Sequence, residues 1–294
     1  MNGLFLVDKP TDMTSFGVVA RLRRLTREKC GHSGTLDPMA TGLLPVMVGK
    51  GTKLCELFTE GRKGYIGTLR FGLCTDTGDT TGEVLEERPG MPSEAELLTL
   101  LPRFTGRITQ RPPAYSAIKV NGVPLYKLAR KGKEAEAPLR TVEIHRLELV
   151  EYRPETQEAV LEVECSKGTY IRSLFMDLAA AAGCLGTMSA LRRTRSGRFS
   201  VEDAVPLEEL MILLEQGDAE QHFISLEKAL ETLPTYQPEA FFATLLKNGC
   251  EVEKKKLKKA PETLCTVYQG DVLLGLGNTI EKDGEILFKI VTHL

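Results

Sequence analysis

The spacing of apolar and polar positions predicts short strands alternating with a few helices. Gly3 to Val7 is an apolar run halted by the turn Asp8-Lys9-Pro10 and reads as a first strand. Thr14 or Ser15 then caps a helix with Val18, Val19, Leu22 and Leu25 on one face and Arg21, Arg24 and Arg27 largely on the other. Gly31 to Pro45 holds too many Gly, Pro and Thr residues for a regular element, so it predicts a loop leading into the apolar run Leu43 to Val48. Tyr65 to Gly72 is strand-like, with Tyr65, Leu69 and Phe71 sharing a face at period two, and Thr75 to Glu83 is a polar, turn-rich loop. Ser93 with Glu96 is a capping-box signal for a helix reaching about Phe104. A proline-bent segment follows at 111–113, then a strand pair turning at Asn121-Gly122 and a short basic helix.

Further along, Ala159 to Cys165 alternates, with Leu161, Val163 and Cys165 opposite Glu162 and Glu164, and the helix after it closes at Gly183. An extended start to that helix would set Tyr170 and Arg172 on one side. Residues 202–231 form an acid-rich helical stretch, and Pro234 and Pro238 mark a junction. Strands near 263–268, 271–276 and 285–292, parted by Gln269-Gly270 and Asp283-Gly284, suit a small β-barrel. Two domains fit 294 residues at about 150 each.

Composition removes several classes of function. Hydrophobic residues at 42% and charged residues at 27% describe an ordinary globular chain, and no apolar run approaches the ~20 residues of a membrane helix. The start, MNGLFLVDKP, lacks a basic n-region and a cleavage site, so a cytoplasmic location is expected. The 7 cysteines are scattered without a CxxC pair, which fits free thiols in a reducing compartment. None of the 4 histidines has HxxxH or HExxH spacing, so no metal is expected. The net charge of −2 hides three basic blocks, at 21–29, 191–198 and 254–259, which point toward a nucleic-acid partner.

Local motifs leave the chemistry open. GKGT at 49–52 fails as a phosphate-binding loop, because Leu44 replaces the first glycine and Gly51 the Ser or Thr. No G-x-S-x-G elbow supports Ser-His-Asp catalysis. Asp37 could meet Asp76 or Asp79 as a carboxylate pair acting on a glycosidic bond. Taken singly, Asp37 before Pro38 is a turn aspartate, His32 a hydrogen-bonded structural histidine, and Tyr65 and Tyr170 core aromatics.

The ordered set changes that reading. GHSGTLDPMATGLLPV at 31–46, RKGYIGTLRFG at 62–72, TDTGDTTG at 75–82, RPPAYSAIKVNGVPLYKLARKG at 111–132, CSKGTYIRSL at 165–174 and ALRRTRSGRF at 190–199 resemble, in order and spacing, the tRNA pseudouridine synthases of the TruB family over residues 2–200. The resemblance implies that Asp37 is the catalytic aspartate, that Tyr65 stacks on the target base and that Arg172 partners the carboxylate. It implies further that Tyr170 and Leu191 line the pocket, that His32 fills the place of a flipped nucleotide, and that Asp79 helps hold the arginine. Lys9 and Lys119 match motif positions suited to RNA contact or support. The implied reaction converts uridine 55 of the tRNA T loop to pseudouridine without a cofactor.

An Arg172 beside Asp37 is expected to keep that carboxylate ionised in a dry pocket. The acid could then attack C1′, stabilise positive charge there or remove a sugar proton. FATLLKNGCEV and DVLLGLGNTI resemble the PUA-type RNA-binding barrel, although the lysine-rich KKKLKKAPE between them departs from it. The expected fold is therefore α+β: a mixed, mostly antiparallel central sheet with flanking helices and loops (the pseudouridine synthase fold) over 1–235, and a PUA-like barrel over 236–294. The expected partner is tRNA, held by its T arm and, through the barrel, by its acceptor arm. The protein is expected to act as a monomer, without membrane or metal. A non-catalytic tRNA-binding or folding protein and a glycoside or nucleoside hydrolase are the rival readings. Intact Asp37, Tyr65 and Arg172 argue against the first, and the basic blocks and absence of Trp against the second.

Overall fold

The computed structural model describes residues 1–116, 118–120, 122–129 and 137–294, the Lys119 side chain excepted. The first strand, β1 (Gly3–Lys9), leads into helix α1 (Ser15–Thr26), which opens where Thr14 Oγ1 accepts the Gly17 N–H at 2.9 Å. Strand β2 (Cys30–His32) runs antiparallel to β3 (Thr41–Val48), pairing His32 with Val46. The expected loop at 31–45 is thus shorter: its two ends are drawn into a strand pair and only residues 33–40 form the tip. Strand β4 (Lys63–Phe71) buries Tyr65, Leu69 and Phe71 on one face as the alternation requires.

These strands belong to an 11-stranded mixed sheet. Its main path runs Val205–Pro206, β1, β3, Gly186–Ser196, β4, Glu158–Cys165, Arg140–Arg153 and Gly106–Gln110. Only the pairings of β1 with Val205–Pro206 and of β3 with Gly186–Ser196 are parallel. Both β1 and β3 read as continuous apolar runs because both their faces are covered. Phe5, Val7, Leu44 and Val46 pack with α1 residues Val18, Val19 and Leu22, while Leu4, Leu6, Leu43 and Met47 pack with Phe199 and Ala229. On the neighbouring part of the sheet, the helix Ile171–Ala181 buries Ile171, Leu174, Phe175 and Leu178 against Leu69, Leu161 and Val163.

The Ser93–Glu96 capping box forms as expected and opens a helix at Glu94–Leu100 that tightens into a 3₁₀ turn at Leu101–Phe104. The acid-rich stretch is less regular than its composition suggests. It yields two separate helices, Leu207–Gln216 and Leu226–Leu230, because Phe223–Ser225 between them joins the sheet beside β1. The C-terminal residues form a five-stranded sheet in the order Thr235–Tyr236, Cys265–Gln269, Val272–Lys282, Glu285–His293, Val252–Glu253, with the helix Ala240–Lys247 packed on it. Thr235 already pairs with Thr266, so this sheet begins at the residue before the expected boundary. Leu54, Leu226, Leu230 and Leu276 form an apolar cluster joining it to the rest of the protein. No helix among the described residues is long and apolar enough to cross a membrane. Asn121 of the expected turn, the Lys119 side chain and residues 130–136 lie outside the described residues.

Candidate functional site

Asp37 stands at the tip between β2 and β3, and the tip is anchored from three directions. Ser15, at the start of α1, donates its hydroxyl to the Leu36 carbonyl at 3.1 Å and accepts the Leu36 N–H at 2.8 Å. Leu36 and Ala40, on either side of Asp37, are buried in the same apolar cluster as Tyr65 and Leu191. Lys9, with no exposed surface, gives its ammonium to the carbonyls of Pro10 at 2.7 Å, Met13 at 2.6 Å and Pro38 at 3.1 Å. That enclosure makes Lys9 a support of the tip and leaves it no surface for RNA. Burial pulls its pKa down to about 8, while Asp12 and Asp37 oppose the fall.

Arg172 lies in the first turn of the helix Ile171–Ala181 and is 5% exposed. Its guanidinium meets Asp37 side-on, with Nε 3.0 Å from Oδ2 and Nη2 donating to Oδ1 at 3.1 Å. The remaining donors reach the carbonyls of Thr77 at 2.7 Å and Tyr115 at 2.9 Å, and Nη1 stands 3.7 Å from Oδ2 of Asp79. Such a planar fork fixes the carboxylate in angle as well as in distance. Asp79 is itself held: Oδ1 accepts from Thr77 Oγ1 at 2.9 Å, the Thr81 N–H at 3.1 Å and Thr81 Oγ1 at 2.6 Å. The two carboxylates therefore share an arginine between them, and Asp79 is too fully engaged to serve as a second acid. Asp76 accepts the Glu83 N–H at 2.8 Å and closes its own turn.

Asp37 keeps 32% of its side chain exposed, at the open side of this arrangement. Burial nevertheless is the largest influence on it and pushes its pKa above the usual carboxylate value, with Arg172 pulling it down and Asp79 raising it. Desolvation thus outweighs the arginine in setting the direction of the shift, while Arg172 acts in the expected sense of favouring the ionised form.

Tyr65, on β4, is 9% exposed, and burial raises its hydroxyl pKa. Tyr170 is the extended residue just before the arginine's helix, bracketed by Gln110, whose side chain donates to its carbonyl at 3.3 Å and accepts its N–H at 3.2 Å. The charges of Arg172 and Asp37 both reach its hydroxyl. Leu191 is buried opposite Gly67 of β4. His32 ends β2; burial, and then the charge of Arg193, hold its pKa down, and its buried Nδ1 has no hydrogen-bond partner. The structure thus brings Asp37, Arg172 and Asp79 together, with Tyr170 within reach of their charges, Tyr65 and Leu191 in the apolar cluster that holds Leu36, and His32 at the base of the tip.

Two families of sequence coincide with this arrangement. TruB family pseudouridylate synthase (N terminal domain) matches residues 22–171, and tRNA pseudouridylate synthase B C-terminal domain matches residues 172–233. The chain belongs to the TruB family. A tRNA pseudouridine synthase B of Clostridium tetani (strain Massachusetts / E88) is 41% identical over 298 residues, covering 100% of both chains. One from Francisella tularensis subsp. novicida (strain U112) is 46% identical over 213 residues, 71% of this chain and 70% of its own. Among solved structures, a chain of a Cbf5-Nop10-Gar1 complex superposes with TM-score 0.73 at 27% identity, over 98% of this chain and 83% of that one. A chain of an H/ACA RNP bound to a substrate RNA containing 2′-deoxyuridine does so with TM-score 0.72 at 25% identity, over 99% and 84%.

In this TruB-family chain two of the three basic blocks are not the free phosphate-binding strips their composition suggests. Arg192 forks onto Asp8 at 3.1 and 2.7 Å, Arg193 is buried, and Arg198 pairs with Glu231 at 2.6 Å. Lys254, Lys255, Lys256 and Lys258 are each paired with a glutamate. The α1 block differs: Arg23, Arg24 and Arg27 are exposed along one side of the helix. Among described residues, no group of three or more His, Cys, Asp and Glu is placed to hold a metal ion. Sequence reasoning missed Ser15, Gln110, Thr77, Thr81 and Arg193 as parts of the site. For Arg193 a signal existed: period two on its strand puts it on the side of Leu191.

Proposed function

We infer that the protein is a tRNA pseudouridine synthase converting uridine 55 of the T loop to pseudouridine, with Asp37 as the catalytic residue. The observation that carries the catalytic assignment is the side-on fork of Arg172 across a single, partly open carboxylate. In the reaction the C1′–N1 bond breaks, the uracil turns within the pocket, and C1′ bonds to C5. The C5 hydrogen then leaves as a proton, and N1 ends protonated, so no cofactor or water enters the balance. Asp37 acts on the sugar, by covalent attack, by stabilising charge at C1′ or by removing a proton.

A base in a folded loop is out of reach, so the nucleotide is extruded at a cost of a few kcal/mol. Stacking on Tyr65 returns about 1 to 3 kcal/mol of that. Tyr170 and Leu191 bound the pocket that keeps the detached uracil from escaping, Asp79 steadies Arg172, and His32 takes up the space left by the flipped nucleotide. The exposed arginines of α1 hold T-arm phosphates, which position the RNA without reading its sequence. The chain comprises a pseudouridine synthase domain, 1–235, and a PUA-like domain from 236 whose five strands touch the acceptor arm; it works as a monomer in the cytoplasm.

The test is incubation with an unmodified tRNA transcript and chemical mapping of pseudouridine, beside Asp37→Asn. Product at position 55 with the parent alone is expected. Equal product from the variant removes Asp37 from the mechanism, and release of free uracil means a hydrolase.

A further inference from the structure

Arg193 lies at the centre of the site yet has no part in the roles above. Its side chain is 1% exposed and is the largest of the fully buried ones. The strand that carries it, Gly186–Ser196, runs between β3 and β4, so that Arg193 is registered against Gly42 on one side and Tyr65 on the other. Its Nε donates to the Leu43 carbonyl at 2.7 Å and its Nη2 to the Gly34 carbonyl at 3.3 Å. Tyr65, its partner on the neighbouring strand, is near enough for the guanidinium charge to act on its hydroxyl, against the larger effect of burial. One rigid plane therefore bonds to the residues where the chain enters and leaves the Asp37 tip, and its own residue lies beside Tyr65 on the neighbouring strand. The tip is shaped around this group: Gly34 and Gly42 have φ of 102° and 97°, and a Cβ on Gly42 would collide with the Arg193 backbone.

Among the described residues this cation has no carboxylate partner. Asp37 and Asp79 pair with Arg172, and Asp8 pairs with Arg192. A buried charge without a counter-ion destabilises the fold, and a well-packed apolar side chain of similar volume would avoid that cost. What the guanidinium supplies instead is a fixed set of donors. It has no acceptor, so toward the Tyr65 hydroxyl it can only donate, which leaves the phenolic proton free to point elsewhere. The Asp37 carboxylate is the charge felt by that hydroxyl from the opposite sense.

We propose that Arg193 is a positioning residue for the reaction: it holds the Tyr65 hydroxyl as a donor facing the Asp37 pocket, using the two ends of the Asp37 tip as its frame. This rests on the reading of Asp37 and Tyr65 given under Proposed function.

A double-mutant cycle on the full-length protein tests it. Single-turnover rates are measured for the parent, Arg193→Lys, Tyr65→Phe and the double variant, on a tRNA transcript tritiated at uridine C5. Lysine keeps the charge but loses the fork. Arg193→Lys is expected to slow the parent about 30-fold with the Kd for the transcript changed less than about threefold, and to slow the Tyr65→Phe background less than about threefold. The missing factor of about ten is a coupling of about 1.4 kcal/mol. Equal slowing in both backgrounds would overturn the proposal, because a merely structural arginine acts independently of the hydroxyl. Arg193→Gln, which keeps two N–H donors without the charge, is carried through the same cycle, with the same coupling expected should the lysine variant fail to fold. No product from the parent defeats the functional reading itself, whereas product with additive losses defeats only the role of Arg193.

Discussion

Arg172→Lys removes a fork that joins two carboxylates and two carbonyls, and the structure sets the size of the loss. A lysine ammonium is a compact donor; seated between Asp37 and Asp79 it cannot also make the two bonds that guanidinium nitrogens now make to the Thr77 and Tyr115 carbonyls at 2.7 and 2.9 Å. Each hydrogen bond lost from a charged donor costs about 1.5 to 3 kcal/mol, or about 3 to 6 kcal/mol together. Asp37 also changes from a two-point to a one-point contact and gains freedom to turn. If about 2 to 3 kcal/mol of the total falls on the chemical step, the single-turnover rate drops about 30- to 160-fold. Tritium at uridine C5 reports that step directly, because it is released to water only after C5 has bonded to C1′. Arg172 is 5% exposed and lies beneath the pocket, so transcript affinity by filter retention should stay within about threefold. A variant rate within threefold of the parent, or a loss seen only in affinity, would refute the view that the fork orients the carboxylate.

Two further outcomes are expected. Because burial raises the pKa of Asp37 above its ordinary 3.8, the folded protein binds that proton more readily than the unfolded chain, and stability is lost as pH rises through the interval above 3.8. Asp37→Asn should accordingly be at least as stable as the parent in urea at pH 7, with any advantage fading as pH falls toward 3.8; a clear destabilisation at pH 7 would contradict the sign. Replacing Arg23, Arg24 and Arg27 together by Gln should lower the slope of log affinity for tRNA against log salt by about 2 to 3, with the rate at saturating RNA unchanged. An unaltered slope would remove α1 from the RNA interface.

Much of the fold was legible because its signals are local. The Thr14 cap, the Ser93–Glu96 box, the alternation at 159–165 and the Gly183 stop each depend on residues within one turn or one pleat. What escaped depends on partners far along the chain. Phe223–Ser225 lies within an acid-rich stretch of helical composition, yet it becomes a strand because the edge of β1 offers it hydrogen bonds. The Asp37 segment looked like one long loop because glycines and prolines weaken strands in isolation. It is paired at both ends because β3 is clamped between β1 and Gly186–Ser196 and carries β2 with it.

The site divides along the same line. Motif order brought Asp37, Tyr65, Asp79, Tyr170, Arg172 and Leu191 together, and the structure joins Asp37 and Asp79 through Arg172 and sets Tyr65 and Leu191 in one apolar cluster with Leu36, next to Asp37. The arginine blocks misled because a run of positive charge in a sequence does not show which members turn inward. In LRRTRSGR, neighbouring Arg192 and Arg193 point to opposite faces of one strand, the first to a surface aspartate and the second into the core.

That inward arginine makes the charge balance of the pocket intelligible. Lys9, Lys63, Arg172 and Arg193 are all 5% exposed or less, and of the carboxylates that act on them only Asp79 is equally buried: Asp37 is partly open, and Asp12 beside Lys9 and Glu60 beside Lys63 are exposed. Placing more buried cations than buried carboxylates in a region of low dielectric raises the local positive potential; burial is the main cause of the lowered pKa values of Lys9 and Lys63, each near 8, and the charge of Arg193 lowers both further. Such a potential favours an incoming polyanion and holds down the cost of charge on the lone open carboxylate. Under the mechanism proposed above, Asp37 needs no second acid beside it: its neighbour is Arg172, and a second free carboxylate would weaken the positive potential offered to the RNA.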